Sequence, residues 1–178
     1  MQKGQKDSST VYFTKAINLH KNKSSGIVVN SKLFNLNLSK ESNENDFTKL
    51  SSDIRSFGHV PRINYYNAKK LLLINEDDKA KKLLKQAIRI NEKDKNLFIN
   101  AYNELFLNEL KNKEYLNSSN YLDTLITYYD TNSKSYLVLN EQREKLNLIS
   151  DLVKQNKEID SLIYMSQFSD EEINIILI

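Results

Sequence analysis

The stretch DDKAKKLLKQAIRIN, residues 77–91, decides the fold. Ala80, Leu83, Leu84, Ala87 and Ile90 fall at i, i+3, i+4, i+7 and i+10, which puts them on one face of an α-helix. Lys81, Lys82, Lys85 and Arg89 take other positions, and Asp77 and Asp78 stand at the start, where acidic residues offset the helix macrodipole. A second helical pattern, Ile63 to Leu73, precedes this one. The connection Ile74 to Glu76 is too short for anything but an antiparallel hairpin. Each helix of such a pair buries one side, and the hairpin still exposes apolar surface that another hairpin must cover. That is the physical reason such units come in arrays.

Downstream, Asp94 to Lys111 reads as a helix with Leu97, Phe98, Ala101, Leu105 and Leu110 facing a core, and Glu114 to Tyr128 reads as its partner. Ser133 to Lys154 carries a longer pattern through Leu137, Leu146, Ile149, Leu152 and Val153, followed by a break around Asn156 and a shorter segment to Phe168. Ser169 with Glu172 three residues later is a capping-box signature for a final helix ending at Ile178. Ile173, Ile175, Ile176, Leu177 and Ile178 make that helix nearly apolar all round. It is expected to dock within a monomer beside Leu162, Ile163 and Met165, the alternative being a dimer through this helix. Upstream, Lys21 to Gly26 and Ser39 to Asn45 are polar and loop-like. Phe34, Leu36 and Leu38 alternate as a strand would, while Val29, Leu33 and Leu36 fit a helix face, as do Phe47, Leu50 and Ile54. We read this segment as helical.

Ala80, Leu84, Ala87, Ile88 and Ile90 resemble the second-helix signature of the tetratricopeptide repeat: small, large, small, then apolar residues before the turn. In the preceding helix Ala68 and Leu71 occupy the usual small and aromatic positions, Asn64 stands where a large residue is common, and Glu92 replaces the usual turn proline. The spacing echoes at Ser9, Phe13, Ala16, Ile17 and Leu19, and again at Ser118, Leu122 and Leu125. The separations, 71 residues (9 to 80) and 38 (80 to 118), compare with a unit of about 34. The resemblance implies an all-α, superhelical α-solenoid of stacked antiparallel hairpins. Its organisation would be a polar lead and helix over 1–21, a loop-rich segment over 22–60, two hairpins over 61–130 and capping helices over 131–178.

Composition agrees with helices. Three glycines (Gly4, Gly26, Gly58) and one proline (Pro61) in 178 residues are too few for an all-β chain, which needs a turn signal about every 8 to 12 residues. The 39% apolar and 28% charged fractions suit a helical stack with much exposed surface. With no cysteine, disulfides, thiolate metal sites and cysteine nucleophiles are excluded. No apolar run approaches a membrane span, and the polar start shows no signal peptide. The expected location is the cytoplasm if the chain is complete. Gln2 to Lys6 also resembles the tether that follows the lipidated cysteine of a bacterial lipoprotein, which would place the protein in the periplasm or at the surface. The 23 asparagines are dispersed, as in the drift of an AT-rich genome, rather than gathered in a prion-like tract.

Chemistry-bearing motifs are few. His20 and His59 stand in no metal-ligand spacing, His20 at a helix end and His59 in a turn beside Gly58 and Pro61. No phosphate-cradling glycine loop, nucleophile elbow or Ser/Lys dyad motif occurs. The pair Glu171 and Glu172, like Asp77 and Asp78, belongs at a helix start. No cofactor, metal or catalytic residue is expected.

The expected function is therefore a non-catalytic scaffold binding a protein or peptide. The resemblance implies a concave groove built by first helices. It would hold Arg62, Tyr65, Lys69 and Leu72 from one hairpin and Asn103 from the next, with one member of each pair Tyr65/Tyr66 and Tyr128/Tyr129 exposed or groove-facing. These residues supply fragments of the family's carboxylate clamp, so that specificity does not carry over. The alternative is binding of nucleic acid or an anionic surface by Lys79, Lys81, Lys82, Lys85 and Arg89. Acids flank that stripe, no aromatic residue interleaves to stack bases, and the net charge is +3, so a solvated face is preferred.

Overall fold

The structure, a computed structural model, describes residues 3–19, 26–39, 42–90 and 94–168. Among the described residues the chain is all-α, with eight α-helices packed mostly against sequential neighbours. They are α1 (Lys3–Leu19), α2 (Gly26–Leu38), α3 (Glu44–Ser52), α4 (Val60–Leu73), α5 (Asp77–Ile90), α6 (Lys95–Lys111), α7 (Tyr115–Ile126) and α8 (Lys134–Met165), with a 3-10 segment at Ile54–His59. The chain divides into two compact units, Met1–Asn108 and Glu109–Ile178. The expected terminal helix Ser169–Ile178, with Glu171 and Glu172, lies outside the described residues, as do His20 and the turn residue Glu92.

In the first unit, α4 and α5 form the hairpin read from residues 63–91. Ala68, Ala80, Leu84 and Ala87 have no exposed surface, and Leu71 is buried beside them. Alanine has no atom beyond Cβ, so helices that meet through it lie close, and each atom added there must displace a neighbour. The turn between them is a Schellman motif: the Glu76 N–H donates to the Leu71 carbonyl at 3.0 Å and the Asn75 N–H to Leu72 at 3.3 Å. Asn75 sits at φ 60°, a left-handed conformation that asparagine tolerates better than most residues.

The segment 22–60, legible as strand or helix, forms helices α2 and α3 and the 3-10 turn among its described residues, with no strand among them. Val29 and Leu33 of α2, Phe47 and Leu50 of α3 and Ile63 of α4 form one buried cluster, with Leu36 and Tyr66 packed against it. Helix α3 begins with a capping box: Asn43 Oδ1 accepts from the Asn45 N–H at 3.0 Å, and Asp46 Oδ2 accepts from the Asn43 N–H at 3.0 Å. Helix α4 starts at Val60, three residues before the expected Ile63. Pro61, expected in a turn, is buried in its first turn, where a missing N–H costs nothing. Helix α1 packs on α2 through Phe13 and Phe34, stacked with centroids 5.2 Å apart.

The second unit contains the end of α6, then α7 packed on α8. The turn after α6 repeats the turn after α4: the Glu114 N–H donates to the Glu109 carbonyl at 2.9 Å, the Lys113 N–H to Leu110 at 3.1 Å, and Lys113 has φ 62°. Ser118, Leu122, Leu125 and Ile126 of α7 are buried, as are Leu146 and Ser150 of α8, and the Ser119 hydroxyl donates to Asn147. Two expectations are corrected. Leu110 is 38% exposed, because it lies in the last turn of α6. No break occurs at Asn156, since one asparagine costs only about 0.7 kcal/mol of helix propensity and no proline or glycine is near. Of the apolar residues that carry the pattern of α8, Leu146 is buried and Leu137, Ile149 and Leu152 are exposed.

Replacing Ala87 by Leu should overpack the α4–α5 contact and lower unfolding free energy by about 1–3 kcal/mol in urea denaturation. The same change at exposed Gln86 should alter it by less than about 0.5 kcal/mol. Equal effects at the two positions would contradict the close contact.

Candidate functional site

Arg62 lies in the first turn of α4, and its Nη2 and Nε donate to Asp94 Oδ2 at 2.9 and 3.2 Å. Asp94 is the residue before α6, and its other oxygen accepts from the Leu97 N–H at 3.1 Å, capping that helix. The Arg62 hydrogen bond, aided by the Leu97 and Asn96 N–H groups and opposed by partial burial, holds the Asp94 carboxyl below the usual carboxylate range.

One turn along α4, Tyr65 is buried. Burial first, then the Glu104 carboxylate and Tyr66, push its hydroxyl well above the ordinary tyrosine range, and the hydroxyl is hydrogen-bonded to Glu104. Lys69 completes the group, with Nζ 3.5 Å from Glu104 Oε1 and 5.7 Å from the centre of the Tyr65 ring. Three of the five residues expected as groove contacts thus bridge α4 to α6.

These bridges set a register. Arg62 meets Asp94 and Lys69 meets Glu104, 32 and 35 residues apart (62 to 94, 69 to 104), so position rises along both helices together and α4 and α6 run parallel. Helix α2 stands to α4 in the same way. Phe34 packs edge-on to Tyr66 with centroids 5.9 Å apart, and Lys70 Nζ donates to the Ser39 carbonyl, offsets of 32 and 31 residues (34 to 66, 39 to 70).

A cleft of about 200 Å³ opens where the three helices meet. Leu33, Tyr65 and Leu97 lie buried along it; Asn30 and Phe34 of α2, Arg62 and Tyr66 of α4, and Asp94, Asn96 and Asn100 beside and on α6 complete the lining. The volume is below the roughly 300–1,000 Å³ of sites that engulf a small molecule, and suits one anchoring side chain. Of the expected residues, Arg62 and Tyr65 line the cleft and Lys69 sits beside Tyr65; the half-buried Leu72 and Asn103 do not line it. Phe34, Asn96 and Asn100 went unread as site residues in the sequence, and Tyr66 was read only as one of a pair with Tyr65. The 32-residue step from Phe34 to Tyr66 could have revealed both rings, had α2 been taken as another first helix.

On α5, Lys82, Lys85 and Arg89 are exposed and Lys81 half-buried; Lys79 pairs with Glu76 at 3.4 Å, and Asp78 lies among the lysines. His59 packs against the first residue of α2: a Cβ on Gly26 would stand 3.0 Å from its Cε1. Among the described residues no group of three or more His, Asp or Glu could hold a metal ion, and no helix is long and apolar enough to cross a membrane. No protein-family model matches the chain, and no curated protein matches it in sequence.

Asp94→Asn keeps a helix cap and removes the charge facing Arg62. A carboxyl depressed in the folded state contributes stability above its unfolded value, near 4, and loses it as pH falls through the lower folded value. The wild type should exceed the variant by about 0.2–1 kcal/mol at pH 6, as for an exposed pair, and the gap should close toward pH 2 in denaturation series. A gap independent of pH would contradict the ion pair.

Proposed function

We propose that this chain is a non-catalytic scaffold of tetratricopeptide-like hairpins that binds a protein or peptide segment in the cleft between α2, α4 and α6. The observation that carries the reading is the recurrent side-chain step of 31 to 35 residues linking α2 to α4 and α4 to α6, close to the roughly 34-residue tetratricopeptide unit. Identical Schellman turns after α4 and α6 support it, as does the alanine-mediated contact of α4 with α5. In this reading α2–α3 and α4–α5 are two successive units, α6 opens another, and α2, α4 and α6 are the first helices that line the binding surface.

The site's charges favour an uncharged ligand segment over an acidic tail, because Arg62 is engaged by Asp94 and Lys69 by Glu104. Phe34 and Tyr66 offer aromatic surface, of the type that dominates binding energy when desolvated. Asn96 and Asn100 offer side-chain amides that can both donate to and accept from an extended backbone. The basic face of α5 is read as solvated, since Glu76 and Asp78 stand within it.

Capture of a partner from host extract by immobilised protein, followed by titration against salt, separates the two readings. Phe34→Ala combined with Asn100→Ala should weaken capture at least about tenfold, the loss typical of an aromatic anchor. Lys81→Glu, Lys82→Glu and Lys85→Glu together should leave it intact, and binding should change little with salt. Steep salt dependence with loss on charge reversal would instead assign binding to the α5 face.

A further inference from the structure

Helix α8 is far longer than the helix that packs on it. At about 1.5 Å per residue its 32 residues run about 48 Å, against about 18 Å for the 12 residues of α7. Its buried residues are Leu146 and Ser150, and from Asp151 onward no described side chain is buried. A helix without tertiary cover is marginal in water, and this one carries apolar side chains along its length.

Those side chains follow a period of 3.5 residues. Ile149, Leu152, Ile159 and Ile163 occupy positions a, d, d and a of consecutive heptads, with Asn156 at the a position between them. They are 42%, 60%, 53% and 55% exposed, and Leu148 and Leu162 widen the stripe at 68% and 69%. The charged residues Asp151, Lys154, Lys157 and Glu158 fall at b, c and f, away from the stripe; Asp160, at e, is the exception. The seam is separate from the face toward α7, where Leu146 and Ser150 lie at e and b.

We propose that the C-terminal half of α8 pairs in parallel and in register with the same helix of a second copy of this chain, along a seam from Ile149 to Ile163 with Asn156 facing Asn156. Three features select a second copy over another occupant. A lone asparagine at an a position is the sequence device that fixes register and oligomer state in paired helices. In a parallel pair a positions face a positions, so the Asn156 amides satisfy one another, whereas an antiparallel pair would set each against an apolar d residue and leave it unpaired. In the parallel arrangement Asp160 at e meets Gln155 at g of the second copy, so self-pairing brings no like charges together along the seam.

Sedimentation equilibrium of the full chain tests this directly. The mass should rise with concentration from 20.8 kDa toward twice that value. Ile159→Asp with Ile163→Asp should hold it at 20.8 kDa throughout with the helical circular-dichroism signal retained, because both residues are exposed in the single chain. The chain has no cysteine, so Ile163→Cys introduces one thiol; mild oxidation should link it into a covalent dimer, while Asp151→Cys, at position c, should not link. A mass fixed at 20.8 kDa for the wild type overturns the proposal. Dimerisation that appears only after residues 169–178 are removed also overturns it, and assigns the seam to that segment. Cross-linking of Leu152→Cys with Ile163→Cys in a mixture, a d residue against an a residue, but of neither alone, overturns the parallel arrangement.

Discussion

The α4–α5 hairpin, in which Ala68, Ala80 and Ala87 are wholly buried, is the constraint on which the first unit depends. An amphipathic helix of 14 residues gains little from its own backbone bonds in water and is held by the face it buries. Alanine, with no atom beyond Cβ, lets packed helices lie close, and Leu71 and Leu84 are buried with the three alanines. The asparagine at φ 60° in the turn lets the chain reverse within three residues and satisfies the last carbonyls of α4. With that hairpin set, α4 also receives α2 and α6, and the polar bridges Arg62–Asp94 and Lys69–Glu104 fix the register of α6 on α4.

Those bridges also determine what the cleft can offer. A guanidinium that holds a helix-capping carboxylate, and an ammonium that holds the carboxylate hydrogen-bonded to buried Tyr65, are committed to structure before any ligand arrives. Diverting either would leave Asp94 or Glu104 without its partner. Residues chosen in the sequence for their charge are therefore the frame of the cleft, and the groups facing outward are the aromatic rings and side-chain amides of Phe34, Tyr66, Asn96 and Asn100.

How much was legible follows from where the information sits. Helix α5 was plain because its small and large residues alternate at helical spacing between charged ones, and nothing competes with that pattern. Helix α2 was ambiguous because Phe34, Leu36 and Leu38 satisfy a two-residue period as well as a helical one, and the choice depends on packing against Phe47 and Ile63. Asn156 read as a break because asparagine favours turns, but within a long run of helix formers its cost is a fraction of a kcal/mol. The 31-to-35-residue step was faint because ion pairs and ring contacts across helices leave no local period in the chain; beyond the spacing of Phe34 and Tyr66 it emerges once the helices lie side by side.

Backbone amide shifts of isotope-labelled protein, titrated with the segment of its captured partner that binds, test the central claim most directly. The account predicts perturbations clustered at Asn30, Phe34, Tyr66, Asn96 and Asn100, on three helices far apart in sequence. Perturbations gathered instead on Lys82, Lys85 and Arg89 of α5, with those five unmoved, would contradict it.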